Sequence, residues 1–115
     1  SARNVKGGMR NLYTLLRTET ADSCLRKIVL FIAEKFGNET ALDRLDRIER
    51  EISILAENPY AGIDPRYMVL RRQGFKVLIL EKDLVFYKIN EAEKIVTIYA
   101  ITDQRQDYLK ILRGL

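Results

Sequence analysis

Any chemistry this sequence performs has to be done without histidine. The chain contains none, which removes His–Cys zinc sites, the Ser–His–Asp triad and imidazole acid–base catalysis together. Carboxylates, lysine, arginine, tyrosine and one thiol remain. Of these, the cations and aromatics cluster. Arg66, Tyr67, Arg71 and Arg72 form the densest basic-aromatic group. That composition suits phosphate contact beside a ring that stacks on a base, and a solvated basic loop has it too. Lys76 stands inside an otherwise apolar strand, so its ammonium must reach a site or snorkel to an edge. Arg105 directly follows a strand, where binding residues are common, or it pairs with Asp103 or Asp107. Tyr108 can stack on a base or pack its ring on a sheet. The lone Cys24 reads as a small core residue on a helix.

The elements that must position these residues follow from periodicity. Residues 11–17 (NLYTLLR) predict a short strand. Thr18 to Thr20 then offer capping hydroxyls. Over residues 21–36 the stripe Ala21, Leu25, Ile28, Ile32 and Phe36 is helical, and Gly37-Asn38 ends it. Residues 39–57 predict a second helix with the stripe Leu42, Leu45, Ile48, Ile52 and Leu55. Its outer face pairs Asp43 with Arg47, Asp46 with Arg50 and Arg47 with Glu51. Asn58-Pro59 stops it. So short a connection makes the two helices an antiparallel hairpin. Residues 67–72 read as an extended lead-in. Residues 75–82 (FKVLILEK), 83–90 (DLVFYKIN) and 94–102 (KIVTIYAIT) read as three antiparallel strands. Residues 103–115 predict a short C-terminal helix.

The expected fold is therefore α+β, in the order β-α-α-β-β-β. A helical hairpin should lie on one face of a small antiparallel sheet. The strands are apolar on both faces: Phe75, Val77 and Ile79 alternate with Lys76, Leu78 and Leu80, and Leu84 and Phe86 with Val85, Tyr87 and Ile89. One hairpin covers one face, so the other needs the C-terminal tail, a partner chain or both.

With 115 residues, 47% hydrophobic and 31% charged, the chain is one domain with a real core. Residues 1–8 read as a flexible leader or an added segment ahead of a start at Met9, leaving 9–115 as the domain. The longest apolar run is six residues, too short to span a membrane. A single cysteine fits a reducing, intracellular compartment. The net charge of +4 divides into +4 over residues 1–17, −3 over 18–58 and +3 over 59–115. That asymmetry fits an anionic partner facing the last half or a solvated surface with a slight excess of Lys, and +4, modest for a nucleic-acid binder, favours the second on charge alone.

The segment over residues 74–112 carries a recognisable pattern. An aromatic-basic strand start, Phe75-Lys76, is followed by an apolar-aromatic hairpin strand, Leu84-Val85-Phe86-Tyr87-Lys88. A V-x-I strand, Val96-Thr97-Ile98, then runs into Asp103-Gln104-Arg105-Gln106-Asp107-Tyr108. This resembles RelE/ParE-type toxins of bacterial type II toxin–antitoxin modules, and the upstream strand and helical hairpin resemble the same layout.

The resemblance implies a cytoplasmic toxin bound by a cognate antitoxin, with DNA contacted only through that antitoxin and with no metal or cofactor. RelE-type members cut mRNA in the ribosomal A site, whereas ParE-type members bind DNA gyrase. The matching positions imply Lys76, Arg105 and Tyr108 as catalytic; the basic-aromatic cluster of Arg66, Tyr67, Arg71 and Arg72, with Lys88, supplies the candidate RNA- or target-binding residues. Cleavage by a 2′-hydroxyl needs a proton acceptor, a cation at phosphorus and a proton donor. Here the cations are Arg and Lys, and the proton carriers are Lys76, Tyr108, Asp103 or Glu81. Two positions depart from the ribonuclease pattern: Asp103 stands where many relatives have histidine, and Leu84 where ribonuclease members often have a second arginine. The expected function is growth inhibition by ribosome-dependent mRNA cleavage, as a metal-independent endoribonuclease. The alternatives are a non-catalytic gyrase inhibitor, or a decayed toxin acting only in an antitoxin co-repressor complex.

Overall fold

The computed structural model describes residues 12–104. The first strand, β1 (Thr14–Arg17), ends at Thr18, whose hydroxyl accepts the Ala21 N–H at 3.1 Å and so caps helix α1 (Glu19–Phe36). Glu19 and Asp22 in the first turn suit the positive end of the helix dipole. Gly37, at φ +97°, ends α1 in a conformation open chiefly to glycine and starts α2 (Asn38–Ile52) directly. The expected long second helix breaks at Ser53, whose hydroxyl donates to the Arg50 carbonyl at 2.6 Å; a short α3 (Ile54–Glu57) follows. A 3-10 turn (Pro59–Ala61) and α4 (Met68–Arg72) then lead into β2 (Lys76–Ile79), β3 (Asp83–Asn90) and β4 (Ile95–Asp103).

The sheet order is β1-β4-β3-β2. The last three strands are antiparallel, as expected, but β1 runs parallel to β4, with Thr14 opposite Ile95 and Arg17 opposite Ile98. The sheet is therefore mixed rather than antiparallel. Helices between β1 and the other strands free it from hairpin geometry, so it can add to the far edge in parallel.

Two apolar layers sandwich the sheet. On the first face, Ala21, Leu25, Ile48, Ile52 and Leu55 of the helices pack on Leu80, Val85, Tyr87, Val96, Ile98 and Ile101. Leu42 and Phe36 are not part of this layer: they are 60% and 68% exposed, and Ala41 is buried in their place. A small residue at 41 lets the helices approach, which rotates the contact stripe by one position. Arg47 pairs with Glu81 at 2.7 Å across the cleft, while the expected Asp46–Arg50 pair forms within α2.

The second face is covered by residues read from sequence as extended. They form α4, whose Leu70 packs on Phe75, Val77, Phe86 and Ala100. One apolar anchor in a single turn leaves too little periodicity to mark a helix. Residues 105–115, with the expected C-terminal helix, lie outside the described residues.

Two polar contacts lock the layers. Tyr87, buried in the first layer, donates to the Pro59 carbonyl at 2.7 Å and accepts the Gly62 N–H at 3.0 Å. A Cβ on Gly62 would stand 2.6 Å from the Val77 carbonyl oxygen, so only glycine fits this crossing. At the other end of β3, Arg44 donates twice to Asp83 Oδ2, at 3.1 and 2.8 Å, with Asp83 2% exposed. Removing the arginine strands a buried carboxylate. Arg44→Ala should lower unfolding free energy by about 3–5 kcal/mol, and the double variant Arg44→Met/Asp83→Leu should lose less than Arg44→Ala alone. Urea unfolding of the three proteins checks this, and a double variant worse than the single would refute it.

Candidate functional site

The faces on which the sequence-derived residues stand decide what they can do together. Along β3, Val85 and Tyr87 point into the first layer, while Leu84, Phe86 and Lys88 belong to the second face. In β2 the parity is set by pairing with β3: Lys76 lies opposite Tyr87 and Leu78 opposite Val85. Lys76 therefore shares the helix-hairpin side of the sheet. There it pairs with Asp64 at 3.3 Å, and its ammonium lies 5.8 Å from the Tyr60 ring centre. Lys88 stands on the opposite side.

Lys88 has an aromatic seat. Its ammonium is 4.6 Å from the centre of Phe75 and 5.1 Å from that of Tyr99, within cation–π range of both. The two rings meet edge to face, 5.4 Å apart at 85°. A β-bulge makes this seat. Phe86 pairs with Ala100 and Tyr87 with Ile98, so Tyr99 is the extra residue. The bulge shifts the alternation of β4, so Val96, Ile98 and Ile101 all face the first layer. Thr18 fixes the bulge by donating its hydroxyl to the Tyr99 carbonyl at 3.2 Å.

The basic-aromatic loop borders the same face. Tyr67 packs on the second layer. The Arg66 guanidinium stacks 5.2 Å from the Tyr67 ring centre and donates to its hydroxyl at 3.3 Å. Arg71 is held by the Pro65 carbonyl at 2.6 Å, and Arg72 lies exposed at the end of α4. Met68, Val69 and Ile79 are half-exposed apolar side chains on α4 and β2.

The structure thus gathers Arg66, Tyr67 and Lys88 around one apolar cluster, adds Phe75 and Tyr99, and places Lys76 elsewhere. Arg105 and Tyr108 lie outside the described residues. Sequence reasoning did not single out the lysine seat. The apolar run Ile98-Tyr99-Ala100-Ile101 does not mark the bulge, because a strand buried on both faces reads the same way. This surface can grip a partner by cation, stacked ring and apolar contact. None of its described members is a carboxylate.

A polar cluster closes the C-terminal end of β3. Glu91 accepts from the Tyr13 hydroxyl at 2.8 Å, from the Tyr60 hydroxyl, and from the Lys94 ammonium at 3.3 Å. These contacts tie the β3–β4 turn to β1 and to the 3-10 turn. The Tyr60 phenol, donating to Glu91, is pushed up to about 12. Its own donors, Tyr60 first, hold the Glu91 carboxyl below its ordinary value. Tyr13 and Glu91 raise Lys94. Among the described residues, no helix is long and apolar enough to cross a membrane.

Residues 15–108 match a family model described as ParE toxin of type II toxin–antitoxin system, parDE. No curated protein matches the sequence. Among solved structures, the chain is similar to one in the chromosomal ParDE system from P. aeruginosa. That likeness has a TM-score of 0.69 and 22% identity over 81% of this chain and 97% of that one. It is also similar to a chain of the RelBE2 toxin–antitoxin complex from Mycobacterium tuberculosis, with a TM-score of 0.59 and 19% identity over 83% and 94%. A mutant of the E. coli RelE toxin in the free state gives a TM-score of 0.58 and 14% identity over 90% and 99%.

The Glu91 cluster gives a pH window. Because the folded carboxyl titrates low, its contribution is present above its ordinary value of 4.5 and lost as pH falls through the lowered one. Because Tyr60 titrates high, its contribution is full below 10.0 and lost as pH rises through about 12. Ultraviolet titration should show Tyr60 among the late-ionising tyrosines. Glu91→Gln should remove one tyrosine from that late group; an unchanged titration would show that Glu91 does not hold the phenol.

Proposed function

This chain belongs to the ParE toxin family of type II toxin–antitoxin systems, and from that premise we propose that it arrests growth by gripping a protein target, DNA gyrase, without cleaving RNA. The observation that carries this reading is the separation of the two strand lysines. Phosphodiester cleavage needs cations and proton carriers converging on one phosphate. Lys76 is turned to the helix side and paired with Asp64, while Lys88 sits on the far face over two rings. The ring-seated lysine, Tyr67 with its stacked Arg66, and the half-exposed Met68, Val69 and Ile79 form a mixed apolar-cationic surface. Aromatic and arginine anchors of this kind are what protein interfaces enrich. The match to the ParE family and the ParDE likeness support the same side.

In this reading Lys88, Phe75, Tyr99, Tyr67 and Arg66 contact gyrase, and an antitoxin encoded in the same module neutralises the toxin in the cytoplasm. Ribosome-dependent mRNA cleavage is the second reading. The observation favouring it is the Arg66–Tyr67 stack, which pairs a phosphate-seeking cation with a ring able to stack on a base.

Purified toxin added to gyrase and relaxed plasmid should block supercoiling or trap cleaved DNA, and should leave mRNA on translating ribosomes intact. Cut mRNA together with normal supercoiling would overturn the proposal in favour of the second reading. The two lysines sharpen the test. Lys88→Gln should relieve growth inhibition by at least about tenfold in inducer dose while shifting stability by less than about 1 kcal/mol. Lys76→Gln should leave inhibition intact. Loss of toxicity with Lys76→Gln in a folded protein would restore Lys76 to the site.

A further inference from the structure

The outward face of α1 carries a surface that the target-binding reading does not use. Leu30 is 64% exposed and Phe31 57% exposed. They stand with Lys27 and Glu34 at i, i+3, i+4 and i+7, which is one stripe on the helix. The buried side chains of α1, Ala21, Leu25 and Ile32, lie on the other side of the helix. The stripe therefore points away from both the sheet and the core.

The order of side chains along the stripe is self-complementary. An apolar pair occupies the centre, a cation lies one turn toward the N-terminus, and an anion lies one turn toward the C-terminus. When a second α1 is laid antiparallel across it, with the two-fold axis between Leu30 and Phe31, each Leu30 meets the partner copy's Phe31. Each Lys27 then meets the partner copy's Glu34. The contact is isologous, so both ion pairs form at once. Antiparallel helices also oppose their dipoles favourably. A parallel arrangement would instead align Lys27 with Lys27 and Glu34 with Glu34. Within each copy, the Lys35 ammonium lies 5.7 Å from the Phe31 ring centre and supports that ring from the side.

We infer that this stripe is the contact between two copies of the chain, joined antiparallel through α1. The patch is small. It buries well under the roughly 1,200 Å² typical of stable complexes, so the pair is concentration-dependent, with dissociation on the order of 100 µM.

Charge swaps test both the contact and its register in the full chain. Sedimentation from about 1 µM to about 1 mM should show the wild type passing from monomer to dimer. Lys27→Glu alone should weaken self-association at least about tenfold, because it sets two carboxylates face to face at each end of the contact. Glu34→Lys alone should do the same with ammonium groups. An equimolar mixture of the two variants should dimerise again, since in the mixed pair one facing contact has both charges reversed and the other has neither, so each sets an ammonium against a carboxylate; a mere loss of folding in either variant cannot produce that recovery. Leu30→Ser/Phe31→Ser should remain monomeric. A wild type that stays monomeric throughout, or a mixture that does not associate, would overturn the inference. So would charge variants that leave self-association unchanged but weaken binding of the antitoxin, which would give the stripe to that partner.

Discussion

A sheet that is apolar on both sides cannot be left half bare, and the arrangement of this chain follows from that constraint. β3 carries the problem most acutely: Val85 and Tyr87 are buried against one layer and Phe86 against the other. The helical hairpin covers the first face fully. Among the described residues, the second is covered by one turn of helix with a single leucine, Leu70, and by aromatic rings at its margin. Burial of each such side chain is worth roughly 1.5–3 kcal/mol. This cover also leaves a margin where Tyr67, Phe75 and Tyr99 can carry cations.

Tyr87 joins the two halves of that arrangement. Its ring fills the first layer, and its hydroxyl serves a carbonyl and an N–H of the connecting loop. The loop therefore approaches the sheet closely enough that Ile63 pairs with Val77 on the open side of β2. That contact blunts an edge that would otherwise be available along its length. Gly62 is required at the crossing for a steric reason, since any side chain would meet the Val77 carbonyl.

The helical hairpin and the three antiparallel strands were legible because each has a clean period or clear punctuation. Thr18, Gly37 and Asn58-Pro59 mark the helix ends as capping rules require. Side choice in β2 was not legible. With apolar residues on both faces, nothing within residues 75–82 says which face meets the helices; the register with β3 decides it, and that register sends Lys76 to the helix side. The same holds for β4, where a bulge redirects the alternation and creates the lysine seat. Arg66 and Tyr67 were visible as a cluster because their interaction is local in sequence, and the structure keeps them stacked. Lys88 was visible only as a cation in a strand, since Phe75 and Tyr99 reach it from other parts of the chain.

The parallel edge between β1 and β4 bears on the order of events during synthesis. Thr18 and Tyr99, which join the strand end and the bulge, are 81 residues apart. Closing so long a loop is slow and entropically unfavourable until the intervening structure has condensed. On a ribosome, β1 emerges early and finds no neighbour until β4 has left the exit tunnel. The β2–β3–β4 meander also comes late, so the aromatic seat for Lys88 exists only when nearly all the described chain is free. If that seat is the gripping surface proposed above, the surface is incomplete until synthesis of the described chain is nearly finished.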